Sequence, residues 1–95
     1  MASEPISVRP LDAAVASEIR ADMARLGFNI SGMATAINMN RQPFTERYHG
    51  RRPFYPSELH KVAEVLGSTA SEIVARAERT VDDTDAVRAA DLVDA

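Results

Sequence analysis

Arg41 and Gln42 stand side by side in a 95-residue chain, and both are side chains able to bond bidentately to a base edge, arginine to guanine and glutamine to adenine. Thr45 and Glu46 follow one helical turn later. A threonine methyl can meet the methyl of thymine, and a glutamate can accept from cytosine or reject a misaligned phosphate. Arg47, His49, Arg51 and Arg52 carry the chemistry of phosphate contacts, which give affinity and position but no choice of sequence. Asn29, Ser31 and Asn40 offer short polar donors upstream that could join them. Each group has an ordinary alternative: a solvated first turn for Arg41 and Gln42, and a solvated charge run for the basic residues.

Other chemistries find little footing. The absence of cysteine excludes disulfides, thiolate zinc sites and thiol nucleophiles, and favours an intracellular location. His49 and His60 fall in no metal-ligand pattern. There is no glycine-rich phosphate loop and no triad spacing, so an enzyme is not expected, and neither a metal, a cofactor nor a small-molecule substrate is called for. Residues 1–10 contain no apolar run of the kind a signal or membrane span needs, which points to a cytoplasmic protein without a membrane partner.

The net charge of −3 runs against a polyanionic partner. Its distribution removes much of the conflict. Residues 80–95 hold five aspartates against Arg88 alone, a balance of −4, which leaves +1 for residues 1–79. Residues 41–61 hold four arginines and Lys61 against Glu46 and Glu58, a local +3. A phosphate senses local charge, because screening cuts the field off within about 8 Å.

The elements that must position these residues follow from periodicity and caps. Asp12 is a candidate N-cap for a first helix to Leu26, with Val15, Ile19, Met23 and Leu26 as its apolar stripe, and Gly27 ends it. Asn29 caps a short second helix carrying Met33, Ala34 and Ile37, and Asn38 stands where the chain needs a left-handed residue. Asn40 caps a third helix with Pro43 in its first turn, Phe44 and Tyr48 on the inner face, and Gly50 at its end. Met33, Met39, Phe44 and Tyr48 read as core. Pro56 starts a fourth helix bearing Leu59, Val62, Ala63 and Leu66, closed by Gly67. Ser68 or Thr69 opens a fifth, with Glu72 in a capping-box position and Ile73 and Ala77 inward, fading near Arg79. No strand pattern occurs, so the fold is all-α.

The series Gly27-Phe28-Asn29, Met33-Ala34, Asn38-Met39-Asn40, Phe44 and Gly50 resembles the phage repressor and Cro-like helix-turn-helix family over roughly residues 13–79. The later run Gly50-Arg51-Arg52-Pro53-Phe54, with Glu58-Leu59, Val62-Ala63 and Leu66-Gly67, is similar to the actinobacterial and actinophage branch. Two positions depart from the family pattern. Asn38 replaces the usual turn glycine, and Ile30 stands where the family often has a phosphate-binding glutamine, so that contact must come from Asn29, Ser31 or backbone amides.

The resemblance implies a compact five-helix helix-turn-helix domain over residues 11–79; composition makes 1–10 a flexible segment and 80–95 an acidic tail that is disordered or a short helix, since the stretch from Thr84 carries three aspartates and little apolar area. The resemblance also implies sequence-specific binding of double-stranded DNA, read in the major groove by the helix starting near Asn40, and a transcriptional repressor of the phage-immunity or Cro type working as a homodimer. The competing reading keeps the fold but uses it to grip a protein partner, with DNA binding lost; Ile30 and the low positive charge are its support.

Overall fold

The computed structural model describes the backbone of residues 9–94 and the side chains of residues 9–83. Five helices follow one another: α1 (Pro10–Leu26), α2 (Ile30–Ala36), α3 (Arg41–Tyr48), α4 (Pro56–Val65) and α5 (Ala70–Asp94). No strand occurs among the described residues.

Local chemistry sets each start. α1 begins two residues before Asp12: Arg9 is the N-cap, Pro10 occupies the first turn, and the Asp12 carboxylate accepts from the Arg9 backbone N–H at 3.2 Å. Asp12 is thus the third helical residue, not the cap. Asn29 caps α2 as expected, its Oδ1 accepting from Gly32 N–H at 2.6 Å. Glu58 accepts from Tyr55 N–H at 2.9 Å ahead of Pro56. The opening of α5 falls to Thr69, whose hydroxyl accepts from Glu72 N–H at 3.1 Å.

The core gathers Ile19 and Met23 of α1, Met33 of α2, Phe44 of α3, Val62 of α4 and Ile73 of α5, all inaccessible or nearly so. Met39 and Tyr48 pack against it half-buried. Leu26 does not join the stripe and lies 45% exposed. Gly27 turns left-handed at φ 81°, Phe28 N–H bonds back to Met23 C=O at 2.9 Å, and Phe28 packs against the core in its place.

α5 does not fade near Arg79. It runs 25 residues to Asp94, so residues 80–94 prolong the fifth helix instead of forming a separate short helix. Val81 still packs on the core. The first helix likewise takes Pro10 from the segment expected to be flexible, and residues 1–8 lie outside the described structure.

Candidate nucleic-acid interface

Phe44 fixes the orientation of α3. It is fully buried, with ring centroids 6.2 Å from Tyr48 and 6.1 Å from Phe54, a lock whose removal to alanine costs about 3–5 kcal/mol. Successive helical residues rotate by about 100°, so Gln42, Thr45 and Glu46 point away from the Phe44 side. The turn that delivers α3 is set by Asn38, the single non-glycine residue with positive φ among those described, at 56°. Its N–H bonds to Thr35 C=O at 3.1 Å, and Met39 N–H to Ala34 C=O at 2.9 Å, which closes α2 before the chain reverses. Arg20 braces the far end of α3, donating from Nη1 to Tyr48 C=O at 2.8 Å.

The four sequence-predicted base readers come together. Arg41, Gln42, Thr45 and Glu46 line one open depression on the outer side of α3, and Arg51 joins them. Arg41 and Gln42 are exposed at the N-terminal end of the helix. The Thr45 hydroxyl donates to Arg41 C=O at 2.8 Å, which commits its donor and leaves the methyl as the group suited to an apolar contact. Glu46 is not independent: its Oε2 accepts from Arg51 Nη1 at 3.0 Å.

The residues expected at phosphates divide. Asn29, Ser31 and Asn40 are exposed; Asn29 is engaged through its cap bond, whereas Asn40 makes no side-chain cap bond despite its position. His49 is exposed with its ring edge-on to Tyr48 at 5.0 Å, and Arg52 is exposed. Arg47 is the exception. Its side chain is only 12% exposed, Nε donates to Glu58 at 3.2 Å, Nη1 donates to Pro43 C=O at 3.3 Å, and the guanidinium lies 5.4 Å over the Tyr55 ring. It ties α3 to the start of α4 and does not stand ready for a phosphate. The signal was its place three residues after Phe44, on the flank of the buried face.

The chain is similar in structure to two crystal structures of ClgR, the clp gene regulator of Corynebacterium glutamicum. One matches with TM-score 0.77 at 20% identity over 92% of this chain and 93% of the other. The second matches with TM-score 0.67 at 22% identity over 81% and 95%. The fold is a small all-α helix-turn-helix domain. No protein-family model matches the chain, and no curated protein does.

In that fold α2 and α3 form the helix-turn-helix, and two features of its frame escaped the sequence. Ser57 and Lys61 of α4 meet Ile37, Asn38 and Met39 in a second depression beside the turn, which puts the exposed Lys61 next to the helix-turn-helix. Between α1 and α5, Asp22 is buried and receives Arg76 Nη2 at 2.8 Å and Nη1 at 3.3 Å together with Arg25 Nη2 at 3.0 Å, while Glu18 lies 3.6 Å from Arg76. The Arg76 hydrogen bonds hold the Asp22 carboxyl below its ordinary range against the opposing effect of burial, with Arg25 assisting. Among the described residues no group of His, Asp or Glu could hold a metal ion. None of the described helices is long and apolar enough to cross a membrane.

Proposed function

We propose that this chain binds double-stranded DNA sequence-specifically, with α3 entering the major groove, and regulates transcription in the cytoplasm without catalysis. The observation that carries this reading is the shared outward surface of Arg41, Gln42 and Thr45 on a helix whose back is locked by Phe44. The structural likeness to a clp gene regulator supports a regulatory role. The finer reading is repression by a protein of the phage repressor or Cro type. It works as a homodimer on a pseudo-palindromic site whose half-sites lie about 34 Å apart, since one helix reads only a few base pairs. Asn29, Ser31, Asn40, His49 and Arg52 supply phosphate contacts around it.

Selection of bound sequences from a random duplex pool tests DNA binding, base preference and half-site symmetry together. A salt-sensitive shift and a twofold-symmetric motif are expected. No retention on any duplex at low salt would leave the domain as a protein-binding module, and a single protomer on an asymmetric site at saturation would end the dimer reading.

A further inference from the structure

Arg51 and Glu46 share the edge of the reading surface, and their geometry is that of a braced fork. Arg51 is held twice by the same residue. Its backbone N–H bonds to Glu46 C=O at 2.9 Å, in the helix end where Gly50 turns left-handed at φ 75° and donates to Arg47 C=O at 3.0 Å. Its side-chain Nη1 donates to Glu46 Oε2 at 3.0 Å. The Glu46 side chain is 37% exposed and that of Arg51 63%, so the guanidinium is the outer partner.

A phosphate contact needs only positive charge near an oxygen, and a carboxylate 3.0 Å from the guanidinium weakens that attraction. A guanine contact needs something else: a planar fork fixed in orientation so that two donors meet O6 and N7 together. The Glu46 bond uses one of five guanidinium N–H donors and, with the backbone bond to the same residue, restrains the orientation of the rest. The depression the pair borders is the one lined by Arg41, Gln42 and Thr45, so the fork faces the same groove.

We infer that Arg51 reads a guanine edge and that Glu46 is its positioning residue, so the two form a specificity element and not a phosphate clamp plus an independent cytosine reader. This rests on α3 being the groove helix.

The test measures binding of the full chain to its selected site and to every single-base-pair variant of that site, for wild type, R51K, E46A and E46Q. R51K keeps the charge but loses the fork, and should lose on the order of tenfold preference at one G·C pair while the preferences set elsewhere stay. E46A should lose preference at the same pair and bind random duplex more tightly, because a negative charge has gone. E46Q retains an acceptor for Arg51 and should keep most of the preference while sharing the tighter random binding, a separation that a merely structural role for Glu46 would not give. If R51K and E46A keep every base preference and E46A raises affinity uniformly, Arg51 is a phosphate contact and the inference is wrong. If wild type shows no base preference at any position, the groove reading itself falls and takes this inference with it.

Discussion

Replacing Asp22 by asparagine should destabilise the fold by about 2 kcal/mol, since hydrogen bonds from charged donors contribute about 1.5–3 kcal/mol net and Asp22 receives two from Arg76. Breaking a fully buried pair costs about 3–5 kcal/mol, but that range is too high here. Arg76 is 34% exposed and keeps Glu18 at 3.6 Å, so it can recover solvation when Asp22 is neutralised. The Arg25 arm, 64% exposed, adds at most about 0.5 kcal/mol. For a domain near this size the loss corresponds to a fall in Tm of roughly 10 °C. The pH dependence has a definite sign. The folded carboxyl is depressed below its ordinary value of 3.8, so the stabilisation is complete above that value and is lost as the pH falls through the folded one. Urea unfolding followed by circular dichroism should therefore show a constant gap between wild type and D22N from neutral pH down to about pH 5, closing below about pH 4. A gap under about 0.5 kcal/mol at neutral pH, or one that persists unchanged into acid, would refute the account of Asp22 as the joint between α1 and α5.

Asn38→Gly should stabilise the turn by about 0.5–1 kcal/mol and Asn38→Ala should destabilise it by about 1 kcal/mol, read from urea midpoints, because φ of 56° strains any residue with a Cβ and asparagine less than alanine. Arg41→Ala and Gln42→Ala should each weaken specific binding by about 1–3 kcal/mol and relax preference at separate base pairs, with Tm unchanged; full operator preference in both would remove them from reading. Arg47→Ala should lower stability by about 1–2 kcal/mol and leave the salt dependence of DNA binding intact. A shallower slope by about one unit would return Arg47 to the phosphate contacts.

The sequence was most legible where structure is local. Asn29 and Pro56 announce helix starts through bonds or dihedrals that span three or four residues, and Asn38 was placed in its left-handed conformation by the need to turn between two apolar stripes. Leu26 misled because a periodic stripe says nothing about where the helix leaves the core, and Phe28 takes over one residue past the turn. α5 runs past the point where the aspartates and sparse apolar residues predict its end. From Ser68 onward the chain contains neither glycine nor proline, and once Ile73 and Ala77 have nucleated the helix on the core, each further residue adds a hydrogen bond at little entropic cost. The Asp22–Arg76 pair lies 54 residues apart, and no pattern in the sequence joins two charges across that distance.

The arginines show where a count of charges stops being informative. Residues 41–61 read as one basic patch, yet two of its four arginines have their placement set by a carboxylate within reach. Glu58 draws Arg47 inward against Tyr55, which converts a cation into a strut between α3 and α4. Glu46 pairs with Arg51 at the surface, which offsets its charge and, in the proposal above, orients its fork. Among the described residues no carboxylate pairs with Arg41 or Arg52. Under the proposed reading, affinity for DNA comes mainly from these unpaired cations, from Lys61 beside the turn and from the backbone amides at helix starts; Arg41, Arg52 and Lys61 make up the whole local +3, since the other two arginines are matched by Glu58 and Glu46. If α3 is the groove helix as proposed, a chain with three unpaired cations in this segment would bind only modestly wherever it lands on DNA, and discrimination would then depend on the donors of α3, a balance that favours reading over sticking.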